Sequence, residues 1–395
     1  MKPTDAAAIQ FRRPRLDALT SLRFFAAAMI GIGHAHPLFG SLGLAYALSL
    51  DQGVSFFFVL SGFILAYNYP DVERDVASFY KARFARIWPL HVVAILLLPL
   101  LVRTWNPGGL SPMGKIYVGI GNLLLIQSWV PLRDSYLTFN GVAWSISTEA
   151  AFYLFFPIAT VLMKRNIGLP MAISAALTAF FICATIYWKI PIDSSLPFSA
   201  MGTLYVNPLA RLFEFVLGMA ACRAYFYIRP GLPTNRIFWT VAEAVLVLAS
   251  VASMHWIPRL PLRIIFPSHA APVIQYYLDN SGSAPVFAAL IVACGVGAGF
   301  ISRFLACRAL VFLGEVSFAF YLVHATVLLW LTKHPAIVHS SVGYLCFWGI
   351  SLSIATALHV GVERPARRFL LRKRKAQDQE KRAVQTPEEA EASPR

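Results

Sequence analysis

The stretch YVGIGNLLLIQSWV, Tyr117 to Val130, is nearly apolar enough to cross a membrane, but Asn122 and Gln127 interrupt it. Whether it crosses decides the topology of everything that follows. If the N-terminus is inside and this stretch does not cross, 26 of the 34 Lys and Arg residues fall in cytoplasmic connections, 7 fall outside and Arg211 lies within a span. If it does cross, the division becomes 14 inside against 19 outside. Setting aside the seven basic residues from Arg372 onward still leaves 19 against 7, so the C-terminal tail does not decide the matter. Cytoplasmic connections carry an excess of Lys and Arg, which favours the first arrangement. Tyr117–Val130 is therefore expected to be a re-entrant or interfacial segment. At membrane depth such a segment needs protein or a water-filled cavity to satisfy its backbone.

Working outward, eleven apolar segments are centred near residues 29, 58, 94, 123, 153, 178, 216, 247, 293, 321 and 351. The chain is 57% hydrophobic and 13% charged, against the roughly one-quarter charged residues of a soluble domain. The expected fold is an all-α membrane protein, a ten-helix transmembrane bundle with both termini cytoplasmic. The expected domains are a basic cytoplasmic N-terminus (1–15), a membrane domain (16–371) and a charged tail (372–395). That tail, RKRKAQDQEKRAVQTPEEAEASPR, has too little apolar surface to fold, and its first basic cluster suits anionic lipid headgroups.

The formal net charge of +15 does not point to nucleic acid, because the basic residues sit in short connections between apolar runs. The five cysteines show no CxxC spacing, so neither a disulfide framework nor a metal site is expected. Lys2 to Arg15 before an apolar stretch resembles a signal peptide, with Ala45-Tyr46-Ala47 as a cleavage site. Cleavage there would discard Arg23 and His34, and the first segment is read instead as a retained helix. Gly295 and Gly299 form a GxxxG that suggests close helix packing rather than a nucleotide loop.

Ionisable groups inside a membrane cost at least about 2.5–3.5 kcal/mol each on insertion scales, so each needs a partner, a cavity or a function. In Leu22–Phe39, Arg23 and His34 are eleven residues apart, close to three turns, which puts them on one face about 16 Å apart. A buried imidazole can take a proton from a hydroxyl near neutral pH, and it can equally be a hydrogen-bonding group between helices. Arg83 and Arg86 share a face at the cytoplasmic end of the third segment. They suit either phosphate binding or interfacial anchoring. Glu149, in a largely apolar segment, is expected to be either a neutral acid or an anion paired with an arginine, with Ser145 one turn before it. Arg211 and Glu214 are spaced to pair with each other. Ser317, Tyr321 and His324 form a polar stripe facing the bundle interior, as a hydrogen-bond ladder or as part of a site.

These motifs in order resemble the bacterial acyltransferase family 3 of membrane-bound O-acyltransferases, from about Leu16 to Phe369. The carriers are the Arg23/His34 pair, FFFVLSGF (Phe56–Phe63), ARFARIWP, WSISTEAAFYLFFP, FLGEVSFAFYLVH and the closing Glu363-Arg364-Pro365. The resemblance implies a ten-helix bundle in the bacterial inner membrane, with acyl-CoA, acetyl-CoA in particular, as donor and a cell-surface glycan or lipid-linked sugar as acceptor. It casts His34 as the base, Arg23 as a catalytic or donor-binding residue, and Arg83 and Arg86 as donor-binding or structural. Ser145 and Glu149 match a family motif, and Glu149 is counted with His34 and Arg23 among the catalytic residues. Ser61 and Ser145 are the only nucleophiles worth testing for a covalent route. Some members carry a fused extracytoplasmic esterase-like domain; without one, this chain is expected to finish transfer itself or to hand the acyl group to a separate extracytoplasmic protein. The rival expectation is a transporter or flippase, since buried Arg, His and Glu also mark substrate and proton paths. No internal repeat of the transporter kind is evident.

Overall fold

A computed structural model describes residues 13–40, 47–102, 110–231, 235–338 and 342–371. Most of the N-terminal basic stretch, Ala45 and Tyr46 of the cleavage-like motif, and the tail from residue 372 lie outside the described residues. Among the described residues there is no β-strand, only an isolated bridge between Leu132 and Phe198. Long apolar runs become helices because helical backbone satisfies its own hydrogen bonds where water is absent.

The principal helices are α1 (Asp17–Phe39), α2 (Gln52–Asn68), α3 (Val76–Val102), α4 (Pro112–Leu123), α5 (Trp144–Arg165), α6 (Gly168–Tyr187), α7 (Leu212–Ile228) and α8 (Arg236–Trp256). They are followed by α9 (Ala271–Ser281), α10 (Ala284–Val296), α11 (Arg308–Thr332) and α12 (Gly343–Leu358). Among the described residues, eight helical stretches, with α9 and α10 acting as one from Ala271 to Val296, are long and apolar enough to cross a membrane. The 17-residue α2 and α7 stand at the lower limit of about 17–25 residues for a span. The sequence reading placed the ninth segment near residue 293 and missed α9, whose QYYLDN run lacks apolar periodicity.

Helices α2 and α7 pack backbone to backbone at the centre. A methyl group added at Gly62 would collide with the Phe215 carbonyl, and one at Gly218 with the Val59 carbonyl, so both positions need glycine. The Gly295/Gly299 pair does not work this way. Helix α10 ends at Val296, Gly297 takes a left-handed φ of +70°, and Gly299 lies beyond the helix. Gly299 instead leaves room for the buried carboxylate of Glu243, which accepts the N–H groups of Gly299 and Ser302 at 3.2 and 3.1 Å.

Side-chain pairings sort the helix ends. Arg15, before α1, reaches Glu315 near the start of α11 at 2.5 Å, and Arg364, after α12, reaches the same carboxylate at 2.7 Å. Lys164 at the end of α5 pairs with Asp71 (2.8 Å) and Glu73, between α2 and α3. At the opposite end, Lys333 donates to the Val102 carbonyl, and the His255 ring bonds the Ala47 carbonyl at 2.7 Å. Helix α3 thus runs away from the Asp71 end, and α5 returns to it. The chain between them starts and finishes at the far end.

That intervening chain holds the stretch on which the topology turned. Helix α4 has 12 residues, too short to span. The two residues that weakened the stretch as a crossing point inward. Asn122 is buried and its backbone carbonyl meets the His91 ring at 2.9 Å, while Gln127 Nε2 donates to the Ala143 carbonyl at 3.1 Å. Ser128 and Ser147 hydroxyls lie 2.7 Å apart. The segment is held by polar contacts to the bundle.

Candidate active site

Five helices line one partly open cavity with about 760 Å³ of empty space, which gathers Arg23, Arg83, Arg86 and Glu149 from the ionisable residues singled out in sequence. Helix α1 contributes Arg23; α2, Ser61; α3, Arg83 and Arg86; and α5, Ser145, Glu149 and Tyr153. Tyr321 and Phe318 of α11 close the wall.

The three arginines are held differently. Arg86 donates to Glu363 at 2.5 Å, and the other Glu363 oxygen meets His359 Nδ1 at 2.8 Å. His359 and Glu363 sit on a π-helical turn, His359–Glu363, at the end of α12. Arg83 donates to the Tyr69 hydroxyl at 3.0 Å and lies over the rings of Tyr69 and Tyr153, at 5.1 and 5.7 Å from their centroids. Arg23 makes no hydrogen bond or ion pair with the described residues, although it lines the same cavity. A guanidinium has five donors and no acceptor, so Arg23 brings unspent hydrogen-bonding capacity to the cavity.

Glu149 is not the partner of an arginine. No described arginine or lysine lies within ion-pairing distance of it. Its Oε1 accepts from the Tyr153 hydroxyl at 2.6 Å and from Ser61 at 3.2 Å. Ser145 does not bond Glu149 but faces the other way. Its hydroxyl lies 2.7 Å from the Tyr321 hydroxyl and donates to the Val142 carbonyl at 3.0 Å. Ser317 is buried, and its hydroxyl is spent on the Gly314 carbonyl at 2.8 Å, so it takes no part in the cavity.

His34 lies outside the cavity, toward the far end of α1, on an exposed position. Its Nδ1 is 2.9 Å from Nε2 of the fully buried His324, and the two rings stack at 5.1 Å. His324 Nδ1 meets the Tyr321 carbonyl at 2.7 Å. Two members of the stripe, Tyr321 and His324, thus connect the cavity with His34. Tyr321 faces the arginine cavity and His324 backs His34.

Sequence reasoning missed the partners rather than the principals. Glu363 was visible only as part of a closing Glu-Arg-Pro triplet, and His359 was not singled out. A histidine four residues before a glutamate at the end of an apolar helix is the signal that pairs them. Tyr153 lay unmarked in an aromatic run, one turn after Glu149.

The sequence profile of a family described as an acyltransferase domain matches residues 16–362 of this chain. The chain is 30% identical over 393 residues to acyltransferase MdmB of Streptomyces mycarofaciens, covering 91% of this chain and 94% of that protein. It is 24% identical over 374 residues to nodulation protein 10 of Rhizobium leguminosarum bv. viciae, covering 87% and 91% of the two chains. An 88-residue stretch is 39% identical to protein 2 in the picA locus of Rhizobium radiobacter, covering 21% of this chain and 44% of that one. No solved structure matches.

Proposed function

This chain belongs to the acyltransferase 3 family and is an integral membrane acyltransferase; from that premise we propose that it carries an acyl group, acetyl in particular, from acyl-CoA to a hydroxyl of a cell-surface glycan or a related acceptor. The proposed setting is a bacterial inner membrane, crossed ten times if α2 and α7 also span, with the Arg15/Arg364 end cytoplasmic. The excess of Lys and Arg at that end supports this orientation.

The observation that carries the reading is the gathering of Arg23, Arg83 and Arg86 from two helices around one cavity, with Arg23 unpaired among the described residues. Guanidiniums suit the phosphates of a nucleotide-bearing thioester, and Arg23 is free to take them. The donor's arm then lies along the bundle toward His34, about 16 Å further along α1. His34 takes the proton from the acceptor hydroxyl as its oxygen attacks the thioester carbonyl. The C–O bond forms, the C–S bond breaks, and the proton passes to the leaving sulfur. Direct transfer fits better than an acyl-enzyme, because Ser145 is bonded to a tyrosine and a carbonyl rather than to a base, and Ser61 has only a carboxylate.

The test is transfer of labelled acetyl from acetyl-CoA to cell-envelope material in membranes. His34→Ala should lower it roughly 10²- to 10⁴-fold at normal protein yield. Undiminished transfer by that variant would remove His34 from the reaction.

A further inference from the structure

The hydrogen bonds behind His34 leave little freedom in where its proton sits. A backbone carbonyl only accepts, so the 2.7 Å contact between His324 Nδ1 and the Tyr321 carbonyl requires a proton on His324 Nδ1. His324 is 0% exposed, and no described carboxylate pairs with it, so a second proton would put an unpaired cation in the core. Neutral His324 therefore offers a bare Nε2. The 2.9 Å contact from that atom to His34 Nδ1 then requires the His34 proton to be on Nδ1.

We propose that His324 is a positioning residue that fixes the His34 tautomer and so keeps His34 Nε2 bare to receive a hydroxyl proton. The inference rests on the reading of His34 as the base and adds which of its nitrogens acts. When Nε2 takes the proton, Nδ1–H still donates to His324, and the ring is not released to turn.

The local packing is built for this contact. Helices α1 and α11 pack closely along their length, with a glycine from one helix at each of two points of contact. A methyl at Gly314 would strike the Thr20 carbonyl, and one at Gly31 would sit 3.1 Å from the Phe320 ring. Phe320 stacks on His324 at 5.7 Å and on Trp348 at 5.3 Å, so the buried imidazole is braced from behind. The charged group within electrostatic reach of His34 is Asp51, at the start of α2; it makes no ion pair with the ring.

Solid-state ¹⁵N NMR of the full-length, histidine-labelled protein in lipid bilayers reads the tautomer directly, with the His34 signals identified by their loss in His34→Gln. The expected result is a protonated Nδ1 and a bare Nε2 in the intact protein, with the Nε2–H form appearing in His324→Met. A protonated Nε2 in the intact, neutral ring would overturn the proposal. Acetyl transfer from acetyl-CoA gives the second arm. His324→Gln keeps an oxygen that can accept from His34 Nδ1, whereas His324→Met fills the site with an apolar chain. Positioning predicts that the Gln variant outruns the Met variant by at least about 10-fold, with the KM for acetyl-CoA unchanged in both. A packing role predicts the reverse order, because a buried site tolerates Met better, and that order or equal rates would refute the role of His324. An inactive His34→Ala beside such a result would leave the base reading standing. A fully active His34→Ala would remove both.

Discussion

Two arginines enter the membrane domain with opposite surroundings. Arg211, just before α7, is 0% exposed and donates twice to Glu214, at 2.6 and 2.8 Å, with further bonds to the Tyr205 and Asn280 carbonyls. It also lies over the rings of Phe58 and Tyr205. Arg23 has no described hydrogen-bonding partner and faces the cavity shared with Arg83 and Arg86. A buried charge that is fully paired is part of the structure. One left unpaired beside empty space keeps its donors available to a ligand. The sequence put a carboxylate three residues from Arg211 and only apolar side chains within a turn after Arg23, so the difference is local in origin.

The strongest way to break this comparison is to remove each arginine in turn. Arg211→Ala leaves Glu214 buried without its partner and should cost about 3–5 kcal/mol, read as a lower thermal midpoint in detergent. Replacing both, as Arg211→Met with Glu214→Leu, should restore most of that loss, since an apolar pair of similar volume avoids the desolvation cost. An unchanged midpoint in the single variant would mean that the pair is not structural. Arg23→Gln should leave the midpoint unchanged and lower kcat/KM for acetyl-CoA roughly 10- to 100-fold, the scale of one hydrogen bond to a charged group, about 1.5–3 kcal/mol. If Arg23→Gln unfolds the protein as Arg211→Ala does, the two arginines are not different in kind.

The comparison also explains what could be read from the sequence. Helix positions and the short excursion at Tyr117–Val130 were legible because they depend on apolar length and on charge placement, both properties of contiguous residues. The Arg211–Glu214 pair was legible because it closes within one helical turn. Glu363 as the partner of Arg86, His324 as the partner of His34, and Ser61 as a donor to Glu149 were not, since each contact joins helices far apart in the chain. Composition marks such residues as unusual in an apolar helix, and only the packing of glycine-lined helices says which of them meet. The spacing put Ser145 one turn before Glu149, within reach of it, whereas α11 supplies the partner that Ser145 takes, Tyr321.

The smallest expected effect lies at the Arg15/Arg364 end, where ion pairs join connecting segments. Lys164 bonds Asp71 and Glu73, with side-chain exposures of 39%, 49% and 35%. Its hydrogen bonds hold both carboxyl groups below the usual range for their types. A lowered folded-state value means that the contribution is present above the unfolded carboxylate range, near pH 4, and is lost as the pH falls through the folded values. Because all three groups meet solvent, the network is worth at most about 1 kcal/mol, and salt should weaken it further. Lys164→Ala should therefore lower the thermal midpoint slightly at pH 7 and low salt, and the gap to the intact protein should close below about pH 4. A loss as large as that of Arg211→Ala would show that this tie between α5 and the α2–α3 connection holds the helices in register, and that exposure is a poor guide to what a charge contributes here.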